Sequence, residues 1–135
     1  METRFGINRS VFDGYLFFRK NKSWWILKNS HLIRGALQLK VWRVGLKAFQ
    51  EVGGFIKPTT RIIQLFGHNA SRAVMNIDEG ELNKLARGEF IPFHHELDNG
   101  YVILSLNKRI LGLGLLIDGM VRSQIPRKDM KALVP

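Results

Sequence analysis

The chain has 135 residues, 45% of them hydrophobic, which suits one compact unit or two small modules sharing a core. It contains no cysteine, so disulfides, thiolate metal sites and cysteine nucleophiles are excluded. Its 21 Lys and Arg against 11 Asp and Glu leave a net charge of +10, a balance that points to a polyanionic partner, nucleic acid foremost.

The excess is uneven. Residues 1–69 carry 12 basic and 3 acidic side chains, a net of +9, whereas residues 70–135 carry 9 and 8, a net of +1. The first part is expected to attract a polyanion broadly, and the second to bind through shape and a few placed groups. The start, METRFGINRS, is charged and lacks the apolar core of a signal peptide. The longest apolar run, Ile110–Ile117, is too short to span a bilayer. The expectation is a soluble cytoplasmic protein with no membrane partner.

In chain order, FDGYLFFRKNKSWWILKN predicts a hairpin that turns at Arg19–Lys22 and returns through Trp24 and Trp25. Adjacent tryptophans on a strand face opposite sides, so one is expected in the core and the other exposed. Ser30 is placed to cap a short helix through Leu37, and LQLKVWRVGLKAF alternates as one or two further strands. Gly53-Gly54 is a break. In KPTTRIIQLFG, Pro58 is expected in a first helical turn, with Ile62, Ile63, Leu65 and Phe66 as the apolar face and Gly67 as the stop. The polar stretch His68–Ser71 is the candidate boundary between modules 1–69 and 70–135.

The second module is expected to open with a strand over Arg72–Ile77. Asp78 then caps a helix, with Glu81 three residues on as its capping-box partner and Ile77 and Leu82 at the hydrophobic-staple positions. Leu82, Leu85 and Ala86 form the buried stripe and Gly88 ends the helix. Lys84 and Arg87 lie near its C-terminal end, where they also suit the helix dipole. A strand over Glu89–Phe93 follows. Tyr101–Leu106, Ile110–Ile117 and the stretch after Asp118-Gly119 predict a three-stranded meander. QIPRKDMKALVP reads as a basic tail whose proline ends the last strand.

Gly112-Leu113-Gly114 does not make a nucleotide loop, because the next glycine, Gly119, falls too late for G-x-G-x-x-G and no helix start follows. The two glycines share a strand face where a neighbouring segment or a ligand can approach closely. His68, His94, His95 and Glu96 match no standard metal spacing, and no serine sits in a nucleophile elbow. No catalytic residue, metal or cofactor is expected. Arg19, Lys20, Lys22, Trp24, Trp25, Trp42 and Arg43 interleave cations with aromatic rings, as single-strand-binding platforms do. The same aromatics also suit a core.

The order of elements, with KPTTR, LARGE and GYVILSLNKRILGLGLLIDG followed by RSQIP, resembles the PUA domain of RNA-binding proteins. It is similar in particular to the PUA-like C-terminal region of Sun-family RNA cytosine-C5 methyltransferases and to the small two-module PUA ribosome-assembly factors. The resemblance covers most of the chain, less specifically in the first module. It implies an α+β protein: an N-terminal α+β module followed by a mostly-β PUA-like barrel with a short capped helix. It further implies that RNA lies along Asp78–Arg87, Glu89–Phe93 and Met120–Ile125, making Lys84, Arg87, Arg122, Arg127 and Lys128 candidate RNA-binding residues. Arg43, Lys57 and Arg61 are the candidates from the first module. The methyltransferases themselves use catalytic cysteines and a large cofactor-binding domain, for which this chain has neither cysteine nor room.

The expected function is non-catalytic RNA binding in rRNA or tRNA maturation or modification, as an accessory factor of ribosome biogenesis. An RNA methyltransferase or a ribosome-assembly protein is the expected protein partner. The alternative is an adaptor whose basic surface docks an acidic partner, such as an RNA-modifying enzyme.

Overall fold

Turn chemistry sets the first sheet. The computed structural model describes residues 2–28 and 45–134; the expected helix after Ser30, Lys40, Trp42 and the candidate Arg43 lie outside the described residues. A one-turn helix α1 (Glu2–Phe5) and a 3-10 turn (Arg9–Phe12) lead into β1 (Tyr15–Lys20) and β2 (Ser23–Lys28). These pair antiparallel around Asn21, which takes the left-handed conformation at φ 57°. Asn tolerates that region better than most residues. Strands β3 (Leu46–Val52) and β4 (Phe55–Pro58) complete the order β1-β2-β3-β4. The Gly53-Gly54 break is their tight turn, with φ of 54° and 83° that only glycine adopts freely.

Pro58 does not start the next helix. It pairs with Phe49 at the end of β4, an edge strand where a missing N–H costs nothing. Thr59 caps helix α2 (Thr60–Phe66) instead: its Oγ1 accepts from Ile62 N at 3.3 Å and donates to Lys47 O at 2.7 Å. Ile62, Ile63 and Phe66 are buried as expected, but Leu65 is 52% exposed. Gly67 does not stop α2 by a left-handed turn, because the chain continues helically into a 3-10 turn (Gly67–Asn69). A Cβ there would stand 2.9 Å from Ile110 Cγ2, so close packing selects the glycine.

The second sheet has the order β5-β7-β8-β9-β6, built from β5 (Val74–Asn76), β6 (Ile91–Pro92), β7 (Gly100–Leu106), β8 (Arg109–Ile117) and β9 (Met120–Ser123). The expected meander is β7-β8-β9. Its turns, Asn107-Lys108 and Asp118-Gly119, carry φ of 49°, 67°, 50° and 83°, the twist-matched form of two-residue hairpins. Strand β5 pairs parallel to β7. The expected strand over Glu89–Phe93 is only the two-residue β6, held to β9 through Ile91–Val121 and Pro92–Met120. Between β5 and β6 stands helix α3 (Glu79–Ala86), with both capping-box bonds formed between Asp78 and Glu81. The basic tail is not extended: Pro126 leads into helix α4 (Arg127–Leu133), which buries Met130.

The fold is therefore α+β, with two sheets of which one curls into a half-barrel. One buried cluster runs from Phe5, Ile7, Ile26 and Ala48 through Ile62 and Ile63 to Ile103, Leu113 and Val121, so residues on both sides of position 69 share it. The N–H groups of Ser71 and Arg72 both donate to Phe5 O, at 2.9 and 3.0 Å. Gly112 and Gly114 are packing glycines. A Cβ at Gly112 would stand 2.7 Å from Ile125 Cγ1, and one at Gly114 would stand 2.7 Å from Val121 Cγ1. Among the described residues, no helix is long and apolar enough to cross a membrane.

Candidate nucleic-acid interface

The end of α3 is built to project Arg87. Arg87 is the C-cap, its N–H reaching Asn83 O and Lys84 O at 3.2 and 3.1 Å. Gly88 follows at φ 79° and donates to Leu85 O at 3.0 Å, which closes the helix and turns the chain towards β6. The Arg87 guanidinium is exposed, and its Nε bonds Glu89 Oε2 at 2.6 Å. This ion pair removes part of the positive charge that the sequence assigns to the position.

Helix α4 lies across from it. Arg127 and Lys131, four residues apart, share one side of that helix. Together α3, the end of β9 and α4 enclose a groove of about 550 Å³. Its apolar lining is Leu85, Ile125, Met130 and Val134, and its cations are Arg87, Arg127 and Lys131. Ser123 supplies a hydroxyl, though its Oγ already accepts from Ile125 N at 3.1 Å. An apolar floor under a cationic rim suits a ligand with a flat or aliphatic body and negative charges along its edge.

Of the eight candidates from the sequence, the groove brings together Arg87 and Arg127. Lys84 and Lys128 are exposed on α3 and α4 but do not line it. Arg122 does not line it either; Ser123, the next residue of β9, does, and successive strand residues point to opposite sides. Lys57 lies on β4 with its Nζ 5.7 Å from the centre of the Tyr101 ring, a cation–π distance. Arg61 is exposed on α2, four residues further. Lys131 was missed because the tail was not expected to be helical. The signal was present in Met130 and Leu133, three apart behind Pro126.

Two further features lie on the second sheet, outside the groove lining. Ile117 pairs with Met120, and Met120 with Pro92, so these side chains share one face of β8-β9-β6. Ile117 and Met120 are exposed there, as is nearby Phe90. At the other side of the second sheet, Arg4 Nε donates to Tyr101 O at 2.8 Å. Burial pushes the Arg4 guanidinium below its ordinary pKa, and the Asp98 carboxylate partly opposes this. Among the described residues, no group of three or more His, Asp or Glu is arranged to hold a metal ion. His94 and His95 are exposed, with His95 edge-on to Phe93 at 5.6 Å.

No protein-family model matches the chain, and no curated protein matches it either. The class that fold and groove define is thus physical: a basic α+β protein with a cation-rimmed, apolar-floored groove at one end of its second sheet.

Proposed function

We propose that the protein is a non-catalytic RNA-binding factor acting in the cytoplasm in rRNA or tRNA maturation or modification, with a PUA-like second module. The observation that carries this reading is the groove. Three cations from two helices converge over an apolar floor, in a chain with a net charge of +10. The cations meet phosphates and fix register, while the floor accepts the face of a base or sugar. No step of chemistry is assigned to any side chain, and no cofactor is required. An RNA methyltransferase or a ribosome-assembly protein is the partner that would make such a binder useful.

The test is titration of the purified chain with a folded tRNA or rRNA fragment at several salt concentrations. The expected log–log slope is about −0.7 to −0.9 per neutralised phosphate. A flat salt response overturns the reading. Crosslinking in cells followed by sequencing of the bound fragments identifies the RNA. A second reading, an adaptor for an acidic protein, is favoured by one observation: the exposed apolar set of Phe90, Ile117 and Met120. Tight binding to such a partner with no affinity for RNA alone would select it.

A further inference from the structure

The β1–β2 hairpin leaves both adjacent tryptophans half-buried, rather than one in the core and one exposed, because each packs against a side chain of the neighbouring strand. Trp25 pairs with Phe18 across the strands and stacks on its ring, with centroids 6.5 Å apart and planes 12° from parallel. Its Nε1 is buried. Trp24 pairs with Arg19, and a register shift between Trp24 and Trp25 on the β3 side separates their environments further. The Arg19 guanidinium lies 4.8 Å from the centre of the Trp24 ring. It is held there twice more, by Nε donating to Asn21 O at 3.2 Å and by Nη2 facing Glu51 Oε2 at 3.5 Å. The result is a pre-ordered pair near the hairpin tip, an exposed guanidinium over a half-buried indole, with Lys20 and Lys22 exposed beside it.

We propose that this tip is a second RNA contact, which stacks an unpaired nucleobase on the Arg19–Trp24 pair while Lys20 and Lys22 take the flanking phosphates. The inference rests on the RNA-binding reading above and adds the form of RNA recognised here, a single-stranded segment. Glu51 decides the division of labour. Its carboxylate opposes a phosphate approaching Arg19, so a phosphate gains more from Lys22 and the Arg19 plane is left to stacking. The base gains from the stack, because every nucleobase has a face that fits a guanidinium or indole. A duplex hides those faces between its own base pairs, so a paired helix has nothing to place on this platform. An acidic peptide would use the lysines and leave the ring idle, which makes Trp24 the discriminating residue.

The probes are a short fluorescent oligoadenylate and the same strand with abasic sugars, titrated against the full chain. Trp24→Leu is expected to weaken oligoadenylate binding about 5- to 100-fold, the range for one lost base stack, with the salt slope unchanged. Trp24→Phe is expected to keep most of the affinity. The abasic strand is expected to bind the parent as weakly as oligoadenylate binds Trp24→Leu. Lys20→Gln with Lys22→Gln is expected to make the salt slope shallower by about 0.7 per lost phosphate contact. Arg19→Ala, on an exposed side chain, serves if Trp24→Leu does not fold, and is expected to weaken binding at least about 5-fold. Parent-like binding by folded Trp24→Leu or by Arg19→Ala, or equal binding of the abasic strand, overturns the inference. A parent that binds folded RNA but ignores oligoadenylate also overturns it and leaves the groove reading intact. A parent that binds neither overturns both.

Discussion

If RNA phosphates dock on Arg87, its partner Glu89 opposes them. The two side chains meet at 2.6 Å and both are largely in solvent, so the carboxylate can be removed without touching the core. A phosphate seated on the far side of the guanidinium lies about 6 Å from that carboxylate, a repulsion of about 0.7 kcal/mol in water. Glu89→Gln is therefore expected to tighten RNA binding about threefold at low salt, with the gain shrinking as salt screens it. The opposite perturbation is Arg87→Gln with Arg127→Gln and Lys131→Gln, which strips the rim of its three cations. Three lost contacts make the log–log salt slope shallower by about 2 to 2.7, or about 20- to 40-fold in relative affinity across a fourfold salt range. All four residues are exposed, so each change is expected to cost within about 0.5 kcal/mol of stability. Anisotropy titrations with a labelled folded RNA at four salt concentrations, alongside melting curves, measure both effects. Should Glu89→Gln leave the affinity unchanged and the triple variant keep the parental slope, the groove is not the RNA site.

Asp78→Ala removes the acceptor of the 2.7 Å bond from Glu81 N and is expected to cost about 1 kcal/mol. That corresponds to a fall of about 3–5 °C in melting temperature for a chain of this size; an unchanged melt would refute the cap's role. Gly114→Ala drives a Cβ to 2.7 Å from Val121 Cγ1, with Arg122 O at 3.3 Å, and is expected to destabilise by about 1–3 kcal/mol in a denaturant titration. Calorimetry with S-adenosylmethionine is expected to show no binding, and a tight stoichiometric isotherm would overturn the non-catalytic reading.

Features with local causes were legible in the sequence. Asp78 and Glu81 are three residues apart and reach each other's backbone, so their residue types alone carry the signal. Asp118-Gly119 fixed its hairpin in the same way. The elements that eluded prediction depend on distant partners or on competing local signals. Nothing in Val74–Asn76 announces that it will lie parallel to a strand nearly 30 residues further on. Pro58 suits a helix start as well as the end of an edge strand, and the Thr59 hydroxyl decided it. Pro126 was read as the end of a strand, and the charges of Arg127, Lys128, Asp129 and Lys131 obscured the Met130–Leu133 spacing of a helix. The groove followed the same division. Arg87 lines it from a helix end that the sequence marks, Arg122 does not line it, and Lys131 lines it only because α4 forms.

The attachment of α1 to β7 bears on how the chain matures during synthesis. Arg4 bonds a carbonyl 97 positions later, and Phe5 and Ile7 are buried in the cluster that contains Val102, Ile103 and Leu104. Arg4, Phe5 and Ile7 thus wait for the strands of the second sheet, some 97 positions later, before they find their place. Such long-range closure raises contact order and slows folding towards the millisecond-to-second regime. In the interval, residues 1–69 already carry a net of +9 out of the +10 of the chain. That charge keeps the nascent segments apart from one another, and it is in place before the groove between α3 and α4 has formed.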